Sequence, residues 1–196
     1  MKLLVVSLYS YFLGAIPFGY LIPRYRYRMD VRTKGSGNVG ATNVLRVVGV
    51  LPGIIVLVLD ALKGYISVKL TQAFSPQYIY LSGLMAIIGH CWPVYLKFKG
   101  GKGVATTIGV LLGLNFMYFI YLIVIFLIVF AFTRIVSLSS LISVLSFPLI
   151  VYCRGKDVEA VPMLVLYTVI IIYRHRENIK RLLQGEEKRI SFSKKQ

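Results

Sequence analysis

The sequence predicts an all-α integral membrane protein of seven transmembrane helices, with the N-terminus outside, the C-terminus cytoplasmic and one short helix at about 103–114. Three observations predict it. Apolar residues make up 57% of the 196, with mean hydropathy +0.74 and only 15% charged residues, which is too oily for a soluble domain. Apolar stretches recur at the length a spanning helix needs, about 17 to 25 residues. The Lys and Arg residues gather in alternate connections, as they do in cytoplasmic loops.

The elements follow in order. The stretch at about 3–23 is a first helix rather than a cleaved signal, because Pro17 and Gly19 lead into a Tyr- and Arg-rich segment and not a small-residue cleavage site. Arg24, Arg26 and Arg28, alternating with Tyr25 and Tyr27, read as an anchor at the membrane surface. The second span, about 47–70, carries Asp60 and Lys63 at i, i+3, where ionisable side chains are expensive unless paired. The third is about 77–96. The apolar run 103–133 has 31 residues, too many for one span, and Gly113-Leu114-Asn115 supplies a turn inside it. Splitting there gives spans at about 103–114 and 116–133, followed by about 135–152 and 160–173.

Charge tests that division. With seven spans and an outside N-terminus, the inner segments 24–46, 97–102, 134 and 174–196 carry six, three, one and eight of the 23 basic residues. The outer segments carry Lys2, Lys69, Arg154 and Lys156. Treating 103–133 as one span would put Arg134 and the whole basic C-terminus outside, against the positive-inside rule. Cys91 and Cys153 then fall on opposite sides, cannot pair, and read as packing residues. The chain is a single polytopic domain without internal repeats, so an inverted-repeat transporter has no support from the sequence. A net charge of +16 could signal a nucleic-acid binder, but such modules do not set their basic residues among bilayer-length apolar runs. The charge faces lipid head groups, an anionic substrate, or both.

Polarity gathers in three places, all on the cytoplasmic side. The first is Ser36-Gly37-Asn38-Val39-Gly40-Ala41-Thr42-Asn43, with Arg46 a turn beyond. The second is Lys97-Phe98-Lys99-Gly100-Gly101-Lys102-Gly103-Val104-Ala105-Thr106. The third is His175-Arg176-Glu177-Asn178. Glycines let successive N–H groups aim at one point, and hydroxyl, amide and cationic side chains complete a cradle for phosphate oxygens. Each glycine-rich segment runs into a helix, the first into the second span and the second into the fourth, so each loop faces a positive helix end. The sixth span starts after Arg134 with Ser137, Ser139 and Ser140 as caps and donors. Gly35 to Gly40 matches G-x-G-x-x-G without the Rossmann strand, and Gly100 to Gly103 lacks Walker A spacing. Two histidines and seven scattered carboxylates offer no metal-ligand spacing, so no metal or cofactor is expected. Asp60 and Lys63 read as an ion pair bracing the site, and His90 as a buried hydrogen-bonding or supporting residue.

SGNVGATN with Arg46, KGGKGVAT and HREN, in this order, resemble the three motifs of the bacterial membrane acyl-phosphate:glycerol-3-phosphate acyltransferases. The likeness covers essentially the whole chain. It implies transfer of a fatty acyl group from acyl phosphate to the sn-1 hydroxyl of glycerol 3-phosphate, giving lysophosphatidic acid and phosphate, the first step of phospholipid synthesis. It also implies a multi-pass protein of the bacterial cytoplasmic membrane with its site facing the cytoplasm, in contact with membrane lipid and supplied by a soluble enzyme that makes acyl phosphate. No H-x-x-x-x-D pair is present, because Lys180 stands five positions after His175 and Tyr95 five after His90. That sets the chain apart from the thioester-dependent acyltransferases.

On this reading Arg46, Lys99 and Lys102 neutralise the substrate phosphates. Ser36, Gly37, Asn38, Gly40, Thr42, Asn43, Gly100, Gly101, Gly103 and Ser140 bind phosphate oxygens, His175 and Asn178 orient glycerol phosphate, and Glu177 is a structural tie. The base is either neutral His175 or the acyl phosphate's own oxygen. A transporter or flippase for a phosphorylated metabolite is the alternative. It calls for polar residues along a path through the membrane, whereas Asp60 and Lys63 are the only acid and base well inside a span.

Overall fold

The computed structural model describes residues 1–190; the two basic residues Lys194 and Lys195 of the C-terminal count lie outside the described residues. Within them five helices are long and apolar enough to cross a membrane, or six if the bent pair Val158–Arg174 and Arg176–Leu183 is one span, and a shorter apolar helix covers Val104–Leu114. The chain forms two compact units, Met1–Phe116 and Met117–Gln196.

The first unit holds α1 (Lys2–Ala15), α2 (Phe18–Tyr27), α3 (Ala41–Val47), α4 (Val50–Phe74), α5 (Ile79–Cys91) and α6 (Val104–Leu114). Pro17, which has no N–H to continue the α1 ladder, separates α1 from α2. Arg24, Arg26 and Arg28 are exposed, as an interfacial anchor requires. The second predicted span, about 47–70, is α4, continuous from Val50 to Phe74. Gly49, at φ 136°, breaks the chain between α3 and α4, and Pro52 in the first turn of α4 marks a fresh helix start. The first glycine-rich loop therefore opens α3, a separate short helix, and not the spanning helix expected.

Small residues let these helices touch. A Cβ at Gly109 would lie 1.7 Å from the Ala61 carbonyl oxygen, so α6 rests directly on the α4 backbone. Packing of this kind, rather than hydrophobic transfer, holds helices together in lipid. Hydroxyls add to it: Ser10 Oγ donates to Ser82 Oγ at 3.0 Å, Ser82 and Ser67 Oγ are 2.8 Å apart, and Tyr9 OH donates to the Ser67 carbonyl at 3.0 Å. This buried chain ties α1, α4 and α5 together.

The second unit holds α7 (Phe116–Thr133, entering from its boundary), α8 (Val136–Cys153), α9 (Val161–Arg174) and α10 (Arg176–Leu183). The break ahead of α7 falls at Asn115, whose backbone is extended. Thr168 Oγ1 donates to the Val144 carbonyl at 3.1 Å and joins α9 to α8. Tyr118 OH donates to Asp157 Oδ2 at 2.5 Å, while its ring meets Phe147 edge-on at 5.2 Å. Cys91 is buried as expected of a packing residue, but Cys153 is exposed beside Arg154 at the end of α8.

Candidate active site

The first loop is built around Asn43. Its Nδ2 donates to the carbonyls of Val31 (3.1 Å), Lys34 (3.1 Å) and Asn38 (2.9 Å), and its Oδ1 accepts from Ser36 N at 2.9 Å. Those bonds use the amide hydrogens, so Asn43 shapes the loop and does not offer them to a phosphate, a correction to its expected role. Asn38 Oδ1 accepts from Gly40 N at 2.8 Å, a local turn bond. Gly35 and Gly37 sit at φ 63° and 71°, where a side chain would strain the turn. Upstream, the Arg32 guanidinium lies 4.5 Å over the Tyr20 ring and bonds Asp30 through Nε and Nη2, at 2.9 and 2.7 Å. Arg32 thereby holds the Asp30 carboxyl down to about 2.

Of the first polar cluster, Ser36, Gly37, Thr42 and Arg46 are exposed. Thr42 and Arg46 are four residues apart on α3 and so share a face.

The second loop leaves α5 through Lys97 and Phe98, both left-handed at φ 51° and 61°. Gly100 N donates to the Cys91 carbonyl at 3.2 Å and Gly101 N to the His90 carbonyl at 3.1 Å. These bonds satisfy carbonyls that the end of α5 leaves without helical partners. Gly100 and Gly101 are buried packing positions, and their expected service as N–H donors to an anion is corrected. Gly103, at φ 90°, caps α6, whose first N–H groups have no helical acceptor. Lys99 is exposed and Lys102 half-buried. Beneath the loop the expected ion pair is present: Lys63 Nζ lies 2.8 Å from Asp60 Oδ1, and His90 Nδ1 lies 3.5 Å from the same oxygen.

The third cluster belongs to the second unit. His175 stands at the corner where α9 turns by 63° into α10, and it is 2% exposed. Its Nδ1 is 2.8 Å from the Ile171 carbonyl. A carbonyl only accepts, so Nδ1 carries a proton toward it. Asn178 Nδ2 donates to Glu187 Oε1 at 2.6 Å, Ser137 Oγ donates to the same oxygen at 2.8 Å, and Arg181 Nε donates to Oε2 at 2.7 Å. Burial pushes the Glu187 carboxyl up, but these three donors outweigh it and hold the group below the usual carboxylate range. An ionised acceptor also fixes which end of the Asn178 amide faces it.

Glu187 is a residue the sequence reading missed. Its signal was an acid within a basic tail, in a chain with seven acids in all. Glu177 takes no such part: it is exposed, 3.8 Å from Arg176. The serines at the start of α8 do not cap it either. Ser139 Oγ donates back to the Ile135 carbonyl at 2.8 Å, and the carbonyl of buried Ser140 accepts from Ser143 Oγ at 3.0 Å. The two glycine-rich loops thus belong to one unit, and His175, Asn178, Ser137 and Ser140 to the other. Among the described residues no group of three His, Cys, Asp or Glu side chains could hold a metal ion.

Residues 4–185 match the family model described as glycerol-3-phosphate acyltransferase. The glycerol-3-phosphate acyltransferase of Ehrlichia canis (strain Jake) is 43% identical over 183 residues, 92% of this chain and 95% of that protein. The one from Geobacillus kaustophilus (strain HTA426) is 41% identical over 189 residues, 96% of each. The crystal structure of PlsY (YgiH), an integral membrane glycerol 3-phosphate acyltransferase, in its glycerol 3-phosphate form has TM-score 0.92 at 38% identity and covers 97% of this chain and 96% of its own. Its lysophosphatidic acid form has TM-score 0.89 at 37% identity, with the same coverage.

Proposed function

The chain belongs to the glycerol-3-phosphate acyltransferase family, and we propose that it moves a fatty acyl group from acyl phosphate to the sn-1 hydroxyl of glycerol 3-phosphate. The observation that carries this reading is a pair of glycine-rich loops in one unit of a membrane protein, each opening a helix and presenting exposed or half-exposed cations: Arg46 from one, Lys99 and Lys102 from the other. Two phosphorylated substrates call for two such loops, and an apolar acyl tail calls for a site among membrane helices.

Acyl phosphate is a mixed anhydride with a good leaving group, so positioning and charge stabilisation can carry the reaction. The glycerol oxygen forms a bond to the acyl carbon, the bond from that carbon to the phosphate oxygen breaks, and the hydroxyl proton passes to the departing phosphate. Arg46, Lys99, Lys102, Ser36, Thr42 and the α6 N-terminus bind phosphate oxygens. Asn178 and His175 are the residues assigned to orient the glycerol phosphate. With the substrate as base, His175→Gln is expected to lower kcat about tenfold, well short of the ~10²- to 10⁴-fold that loss of a general base brings. A fall in purified protein as deep as that of Arg46→Ala would assign the proton to His175.

The protein works as seven spans in the bacterial cytoplasmic membrane, N-terminus out, C-terminus in, with the site on the cytoplasmic side. Cys153 reports on this directly, being exposed among Arg154, Gly155 and Lys156, at what would be the outer end of the sixth span. A membrane-impermeant maleimide added to intact cells stripped of their outer barrier is expected to label it. Labelling only after the membrane is opened would reverse the orientation.

A further inference from the structure

Lys63 and Asp60 are each 2% exposed at the side chain, and His90 is 7% exposed. Asp60 stands ten residues into α4, about 15 Å along it. Charges so placed are expensive, and an apolar pair of similar volume often stabilises as well or better. What the charges add is direction.

The Lys63 ammonium reaches Asp60 and also donates to the Ile16 carbonyl at 2.9 Å, where α1 ends. Asp60 faces His90 Nδ1. The other edge of the His90 ring is the surface on which the second loop sits: a Cβ added at Gly101 would lie 2.0 Å from His90 Nε2, 2.7 Å from Cε1 and 3.0 Å from Cδ2. The first loop reaches the same cluster. Val39, with Asp60, Lys63 and His90, lines one small cavity with room for the centre of about one water, about 10 Å³. The Val39 carbonyl presses so closely on Gly19 that a Cβ there would lie 1.6 Å away.

We propose that Lys63, Asp60 and His90 form a positioning unit for catalysis: the ion pair orients the His90 ring, and the ring sets where the Gly100 to Gly103 loop, Lys102 and the α6 N-terminus meet substrate phosphate. This rests on the reading of that loop as a phosphate cradle. None of the three touches the reacting atoms.

The test is a double-mutant cycle on purified protein, with KM for each substrate and kcat measured separately. Gly101→Ala is expected to raise KM for one phosphorylated substrate about tenfold, about 1.4 kcal/mol, with kcat and the other KM little changed. His90→Ala removes the three ring atoms the new methyl meets. In that background the same Gly101 substitution is expected to change KM by less than about twofold, the coupling of two groups in contact. Equal penalties in both backgrounds overturn the proposal.

Asp60→Asn with Lys63→Met, made together, strands no charge. The pair is expected to leave a folded, monodisperse protein in which the KM raised by Gly101→Ala is again raised. Wild-type values for both substrates in that folded protein overturn the proposal. The His90 and Gly101 variants keep the ion pair, so the test does not hang on the pair folding. Wild-type protein that forms no lysophosphatidic acid overturns the underlying transferase reading, whereas active wild type with additive penalties overturns only this inference.

Discussion

Arg46→Ala is expected to lower kcat/KM by about 10²- to 10³-fold, the scale of removing one preorganised donor from a developing anion, while leaving thermal stability in detergent unchanged. The two halves of that expectation have separate causes. Arg46 is exposed in the last turn of α3, and among the described residues no carboxylate is paired with it. Among the described residues no hydrogen bond or ion pair of its side chain is lost when it goes. Its guanidinium shares a helix face with exposed Thr42, beside the loop that Asn43 knots into shape. Arg46→Lys keeps the charge and loses the planar fork, so it is expected to recover only part of the loss. Near-normal activity of the alanine variant would remove the first loop from the site.

Lys63→Met is expected to do the reverse and act on folding first. It strands the Asp60 carboxylate at 2% exposure, and breaking a buried pair on one side costs about 3 to 5 kcal/mol. Against a total stability of about 5 to 15 kcal/mol, that is a large share of the margin, so the melting temperature and the folded yield both fall. Size-exclusion profiles and melting curves of detergent-extracted protein measure both. The Asp60→Asn partner substitution is expected to restore the folded peak, because it removes the orphaned charge. A single variant as stable as wild type would mean that the pair does not behave as a desolvated ion pair.

Much of this was legible in the sequence because lipid simplifies the code. Hydropathy marked the helices, and the turn at Gly113-Leu114-Asn115 marked a break that the structure puts at Asn115. The cost of charge in a span identified Asp60 and Lys63 as partners, and they are. What was not legible depends on bonds that leave no periodic trace. The short helix α3 lies just ahead of the second span, in a segment read as loop, because a seven-residue helix leaves no bilayer-length apolar run. The glycines of the second loop read as anion donors because glycine frees the backbone, yet Gly100 and Gly101 give their N–H groups to the end of α5. Asn43 read as a ligand because amides bind phosphate, but its amide closes its own loop through three carbonyls. Glu187 was missed because nothing in the local pattern shows that Ser137, Asn178 and Arg181 converge on it.

The measurement that bears most directly on the central claim is the simplest. Purified protein is incubated with acyl phosphate and glycerol 3-phosphate, with no coenzyme A or carrier protein present, and the lipid fraction is assayed for lysophosphatidic acid. The expected result is lysophosphatidic acid and inorganic phosphate in equal amounts, abolished or nearly so by Arg46→Ala. No lysophosphatidic acid from folded wild-type protein, or its formation only when an acyl thioester replaces acyl phosphate, would contradict the account.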